Sequence, residues 1–359
     1  MNETTPKKPS FFRLLGRFLL RCLSVLLITV LSLAIFLVGI VFVLSRGPSE
    51  TARDQFVRSV KETSAIGFLA DLFLTPNEVA AIISTPEEVD TDQTDTSLVE
   101  IGVPAQSEEG PYTDAWGYVD DDGDGLILVP IKGGSYVGYM LIVLDPSRVI
   151  LGCPPSLNLW RGHSLEYYIE YYDGVAGING GGFDDPNGQG DGSLPDTLLL
   201  RGGEVFFPQK GVGHGFVGLD SNYVLHVGLR SYTEVQEADI QEGCGFGPVL
   251  VVNGEMAPEE SLRSGLNPRT AIGQRTDGAI LMLVIEGRQP SRLGATYTDL
   301  AEEMLRFGAA NACNLDGGSS SLMWVDGEYV NNSASVIGIR TIPSCFIVLK
   351  EGRAAHEGQ

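Results

Sequence analysis

Between Cys22 and Leu44 the chain runs for 23 residues without a charged side chain. A helix of that length crosses a hydrocarbon core of about 30 Å. Lys7, Lys8, Arg13, Arg17 and Arg21 precede the run, and basic residues before a span hold the N-terminus in the cytoplasm. A signal peptide is the rival reading. The apolar run is longer than an ordinary signal core, and no small-x-small cleavage site follows Arg46-Gly47-Pro48. The expected layout is therefore a cytoplasmic basic tail at 1–21, a single-pass cell-membrane anchor at 22–44, and everything later outside the cell.

The outer part is acidic. The whole chain carries a net charge of −22, and residues 1–46 hold six basic and one acidic side chains, so the remainder stands at −27. Such a surface excludes nucleic acid as a partner, because that partner needs a basic footprint. An anionic substrate would need its own arginine site within this field.

Residues 45–111 read as a helical stalk and an acidic linker. Phe56, Val57, Val60, Leu69, Leu72 and Phe73 recur at helical spacing among charged residues. The stalk could be a spacer or could pack on the body. Thr85 to Pro111 is polar and acidic, the composition of a loose connection.

The body is expected over 112–350, with a loose tail at 351–359. Apolar runs of strand length alternate with glycine turns, for example Val137 to Leu144, Pro248 to Val252 before Asn253-Gly254, and Ala279 to Ile285. Helical patterns are fewer: Ser164 caps one, and Thr296 or Thr298 caps another. No strict βαβ alternation occurs, so the fold class is α+β with a mixed β-sheet body. Asp120, Asp122, Asp124 and Gly125 copy the first half of an EF-hand loop. Ile131 stands where the bidentate Glu belongs, so an acidic turn is the leading reading and Ca²⁺ the lesser one. Cys153, Cys244, Cys313 and Cys345 are open to disulfides or to burial as thiols. No zinc-ligand spacing occurs. No cofactor is required.

Three stretches end apolar strands in small or polar residues: Asn179-Gly180-Gly181-Gly182, Asn267-Pro268-Arg269-Thr270 and Asn314-Leu315-Asp316-Gly317-Gly318-Ser319-Ser320. Arginine grips phosphate through two parallel bonds. Glycine-turn N–H groups make anion nests. Asn and Asp pair with sugar hydroxyls, and a carboxylate beside an anomeric carbon can act as acid, base or nucleophile. The residue types suit a ligand that is part sugar and part phosphate. Neither a phosphate-cradling P-loop nor a nucleophile elbow is present.

In this order the three stretches resemble motifs of the phosphodiester glycosidase family. Gly245-Phe246-Gly247-Pro248, Glu286-Gly287-Arg288 and Arg340-Thr341-Ile342-Pro343 look like further landmarks of it. The family includes a lysosomal enzyme that removes N-acetylglucosamine from a phosphodiester on mannose, and bacterial relatives labelled as exopolysaccharide biosynthesis proteins. Two departures stand out. The family often has N-G-G-F-F where this chain has Asn179-Gly180-Gly181-Gly182-Phe183, and Glu286 replaces the usual Asp. The resemblance implies a glycosidase that cleaves a sugar-1-phosphodiester, on a cell-surface, capsular or teichoic-type glycan. Asp316 is expected as nucleophile or base, with Glu286 as the second acid. Arg269 is expected on the phosphate, with Asn179, Gly180, Gly181, Asn253, Thr270, Gly317, Gly318, Ser319 and Ser320 around the substrate. The alternatives are a non-catalytic binding or assembly protein for anionic glycan, and a phosphodiesterase that cuts the other ester bond.

Overall fold

A computed structural model of the chain describes residues 11–63, 66–84, 93–102, 111–154, 161–185, 190–207, 215–229, 231–335 and 338–352. The basic tail before residue 11, most of the acidic linker and the end of the C-terminal tail lie outside them.

The apolar run lies within helix α1, Phe11–Arg46, whose side chains are almost all exposed. One described helix is thus long and apolar enough to cross a membrane. Helix α2, Glu50–Lys61, follows after a Ser49 cap, and helix α3, Pro76–Ile83, after a Thr75–Glu78 capping box. Val57, Val60, Ala70, Leu74, Val79 and Ile82 form a small core of their own. The Arg46 guanidinium joins the end of α1 to this unit, donating to the Phe73 carbonyl at 2.8 Å and to Glu78 at 2.6 Å. The ring of Phe42 meets that of Phe73 edge-on at 5.3 Å.

The stalk packs on the body. A Cβ at Gly265 would stand 2.2 Å from the Ser59 backbone nitrogen, so only glycine lets α2 come this close. Leu266 N–H donates to Ser59 Oγ at 2.9 Å beside that contact.

Three large antiparallel sheets build the body, with a two-stranded ribbon of 112–113 and 119–120 before them in the chain. The seven-stranded sheet runs in the order 255–256, 249–252, 309–315, 269–275, 280–285, 137–143 and 126–132. A five-stranded sheet runs 328–329, 323–325, 174–179, 345–349 and 149–152, and a second runs 225–226, 216–220, 240–245, 199–201 and 204–207. Alternation along the strands explains the layering. Leu141 and Val143 point into a common core with Ile178, Phe346, Leu199 and Val217 from the other two sheets. Met140 and Ile142 point the other way, onto Leu300, Met304 and Phe307.

Each large sheet carries one helix on its outer face. Helix α4, Leu165–Tyr171, covers the first five-stranded sheet through Leu165, Tyr168 and Ile169. Helix α5, Tyr232–Glu237, covers the second through Val235. Helix α6, Tyr297–Arg306, covers the seven-stranded sheet, and its N-cap is Thr296 with Asp299 closing the box. The architecture is α+β, as its sequence pattern implies.

The Asp120 turn satisfies itself: Asp120 accepts from the N–H groups of Gly123 and Gly125, and Asp124 from Leu126. Burial pushes the Asp124 carboxyl up to about 6. Carboxylate oxygens of Asp120, Asp122 and Asp124 lie within 4.8 Å of one another. All five cysteines are free thiols, four of them buried.

Candidate active site

The site forms where the seven-stranded sheet meets the first five-stranded sheet. Strands Arg269–Arg275 and Ala309–Leu315 are neighbours, with Thr270 opposite Leu315. Strand Gly174–Asn179 approaches from the other sheet. Asn179 ties the two together: its Oδ1 accepts from Thr270 Oγ1 at 2.7 Å and from Leu322 N–H at 3.1 Å, and its Nδ2 donates to the Asp316 carbonyl at 2.6 Å. Asp316 N–H donates to the Gly180 carbonyl at 3.0 Å. The turn that carries Asp316 is thus pinned from both sheets.

Beyond Asp316 the backbone closes sharply. Gly318 has a φ of +64°, which favours glycine, and a Cβ there would stand 3.0 Å from an Arg288 guanidinium nitrogen. The Asp316 carboxylate accepts from Gly317 N–H at 2.9 Å and from the Ser320 hydroxyl. Burial nonetheless pushes its pKa from 3.8 up to about 7, and the nearby acids Asp196 and Asp185 act in the same direction.

Asp316 opens onto a cavity of about 400 Å³. Three guanidiniums line it: Arg269, Arg288 and Arg340. Arg269 lies over the Tyr297 ring at 4.2 Å and donates through Nε to the Ala295 carbonyl, and through Nη2 to the Gly265 carbonyl and to Glu62. Arg288 reaches Asn267 Oδ1 and Thr63 Oγ1 from Nη2 at 3.2 and 3.1 Å. Burial and the adjacent Arg269 cation hold the Arg288 pKa below the usual arginine range. Its φ of +57° is rare for a side chain of this size. Arg340 donates to Asp185 at 3.0 Å, to the Gly190 carbonyl at 2.9 Å and to Ser319 Oγ at 3.3 Å. Asn314 completes the floor. Its Nδ2 donates to the Gly247 carbonyl at 2.8 Å, which fixes the amide's orientation and leaves Oδ1 buried with no partner among the described residues.

The family model for phosphodiester glycosidase matches residues 172–349. Those residues form a phosphodiester glycosidase domain. They contain Asp316, Asn314 and the three arginines of the cavity. An uncharacterized SPbeta prophage-derived protein of Bacillus subtilis (strain 168), YomE, is 44% identical over 99 residues, which is 24% of this chain and 15% of that protein. The chain thus spans under a sixth of the length of that relative. The solved catalytic domain of zebrafish N-acetylglucosamine-1-phosphodiester alpha-N-acetylglucosaminidase, auto-inhibited by its pro-peptide, superposes with a TM-score of 0.53 at 20% identity. The match covers 63% of this chain and 82% of that one, and it shows a shared fold.

The cavity gathers some of the residues expected from the sequence and leaves others out. Asp316, Gly317, Gly318, Ser319, Ser320 and Arg269 line it. Asn179 and Thr270 are buried behind it, bonded to each other. They position the Asp316 turn and do not face a ligand. The glycine N–H groups are already used: Gly180 donates to the Ser344 carbonyl, Gly181 to Ser344 Oγ, Gly317 to Asp316 and Gly318 to the Pro268 carbonyl. The cationic groups in the lining are the guanidiniums of Arg269, Arg288 and Arg340. Glu286 is 2% exposed and does not line the cavity. Its oxygens accept from Arg292 at 2.6 Å and from the backbone and side-chain nitrogens of Asn332 at 2.8 and 3.0 Å, so it acts as a clamp. Asn253 sits in the hairpin at the far end of the sheet, where it holds Gln93 and Asp95 of the linker.

Other cavity residues are not among those singled out by chemistry in the sequence. Asn267, Arg288, Asn314, Phe183, Phe246 and Arg340 all fall inside the motif stretches, and their pattern there is the signal that marks them. Asp185 stands in the polar loop after Phe183. Glu62 and Thr63 come from the stalk, and nothing in the sequence links them to the site.

Proposed function

We propose that the chain hydrolyses a sugar-1-phosphodiester between the anomeric carbon and the phosphate oxygen, on an extracellular glycan, while residues 22–44 anchor it in the membrane. The observation that carries this reading is one cavity holding three guanidiniums and a carboxyl group whose pKa lies near 7. The arginines balance the phosphodiester charge, which grows on the leaving oxygen as the bond breaks. A phosphate leaves readily, so acid assistance is not the main need. Asp316 in its ionised form takes a proton from water as the water oxygen bonds to the anomeric carbon. The electron pair of the broken bond stays on the phosphate. The products are a reducing sugar and a phosphomonoester.

The remaining lining suits a sugar. Asn314 lines the cavity, and its buried Oδ1, without a partner among the described residues, would accept from a sugar hydroxyl once the wall around it gives way. Phe183 and Phe246 give an apolar wall for its C–H face. The basic residues before Cys22 support a cytoplasmic N-terminus with the domain outside.

Incubation of the full chain in detergent with a sugar 1-(methyl phosphate) tests the reading. Free reducing sugar and methyl phosphate support it. Sugar phosphate and methanol would mean cleavage of the other ester, and saturable binding without product would mean a binding protein. A second expectation follows from Asp316: kcat/KM rises with pH up to about 7, then levels, because the ionised carboxylate is the active form.

A further inference from the structure

The end of α2 reaches the cavity, although the helix lies outside the residues the family model matches. Glu62 is its C-cap, with its backbone N–H on the Arg58 carbonyl. The Glu62 carboxylate accepts from three donors. Oε1 accepts from Gly265 N–H at 2.8 Å, and Oε2 accepts from Asn267 Nδ2 at 2.9 Å and Arg269 Nη2 at 2.6 Å. Thr63, the next residue, bonds Arg288.

We propose that Glu62 is a positioning residue of this site, and that the stalk is a wall of the active site and not merely a tether. The proposal rests on the glycosidase reading of the cavity. Arg269 and Arg288 lie close enough to repel, and Glu62 supplies the carboxylate that holds the first of them in place. The same carboxylate fixes the loop before Arg269 through Gly265 and Asn267. With Glu62 in place the cavity still measures about 400 Å³, so the residue lines the space without filling it. The docking around it is close-packed, with Gly265 against the Ser59 backbone and Gln55 Nε2 donating to the Ser264 carbonyl at 3.5 Å.

All three partners of Glu62 are donors. A glutamine therefore turns its own N–H₂ onto one of them, and an alanine leaves a space the size of a small carboxylate. The test compares the full chain in detergent with Glu62→Ala and Glu62→Gln on a sugar 1-(methyl phosphate), with and without formate. The expected result is a fall in kcat/KM of about tenfold or more in both variants. Formate should restore part of it in the alanine variant only, since glutamine fills the space. Formate should also raise the melting temperature of the alanine variant and leave the parent unchanged. Activity equal to or above the parent in the alanine variant would overturn the proposal, as would a loss that formate does not reverse. If the alanine variant does not fold, undiminished kcat/KM in the glutamine variant overturns it. If the parent cleaves no sugar phosphodiester, the glycosidase reading falls. The formate-dependent melting shift of the alanine variant then decides the role of Glu62 alone, and its absence refutes it.

Discussion

Asp316→Asn separates the two things this carboxyl group does. Burial raises its pKa from 3.8 to about 7, so between those values the folded state binds a proton that the unfolded state has released. Stability from this group is full below pH 4 and is lost as pH rises towards 7. A shift of about three units at 1.36 kcal/mol each gives an upper bound of about 4 kcal/mol by pH 8. Asparagine has nearly the same shape. Its Oδ1 can still accept from Gly317 N–H, and its Nδ2 can donate to the Ser320 hydroxyl, so it removes the titration with little loss of contact. The variant should match the parent in melting temperature near pH 4 and exceed it at pH 8. At roughly 2–4 °C per kcal/mol for a domain of this size the gain is at most about 8–16 °C. Turnover should fall by about two to four orders of magnitude, the usual worth of a general base. The measurements are melting by tryptophan fluorescence from pH 4 to 8.5 and release of reducing sugar at pH 7.5. A melting difference that does not change with pH would refute the raised pKa. Undiminished turnover would refute the role in catalysis.

Arg288→Ala and Arg340→Ala should each lower kcat/KM about ten- to a hundredfold, since each removes a charged contact worth about 1.5–3 kcal/mol; steady-state kinetics on the phosphodiester would check this, and unchanged values would remove the anion site. Asn314→Ala should raise KM for the sugar substrate several-fold while leaving binding of inorganic phosphate unchanged, because the residue lines the cavity and its amide oxygen has no partner among the described residues; titration calorimetry with both ligands separates the two. Glu286→Gln removes the charge from the buried side of a pair whose Arg292 is 38% exposed and should cost about 1–3 kcal/mol of stability with KM intact; a stable variant with lost turnover would return Glu286 to the catalytic group.

What could be read from the sequence is what local physics controls. Ser164 and Thr296 start their helices because an N-cap needs only its own next few residues. Asp316 and its glycines form a turn for the same reason. Arg288 and Arg340 sit in visible motifs, yet their convergence depends on the registry of separate sheets. The glycine N–H groups look available in sequence, but Ser344, on the neighbouring segment, takes both at 180 and 181. Asn253 carries the right chemistry at the wrong end. Its N–H bonds Asn311, four residues before Leu315, so the length of the strand separates it from Asp316.

The stalk is where long-range geometry changes the reading most. Its helical spacing shows an apolar face and does not say what covers it. Glu62 and Arg269 meet across 207 positions of sequence, and only a glycine at 265 lets the helix close in. Between Arg46 and Glu62 lie a three-residue link and the twelve residues of α2. At about 3.4 Å per extended residue and 1.5 Å per helical one, the cavity wall stands at most roughly 30 Å from the end of α1. With α1 as the anchor, glycans tethered to the same membrane come within reach of the arginines. The acidic remainder of the domain would then repel anionic polymer everywhere except at this cluster, so cleavage of such a polymer should depend on ionic strength more steeply than cleavage of a small phosphodiester. Equal salt dependence for the two substrates would show that the field outside the cavity plays no part in selection.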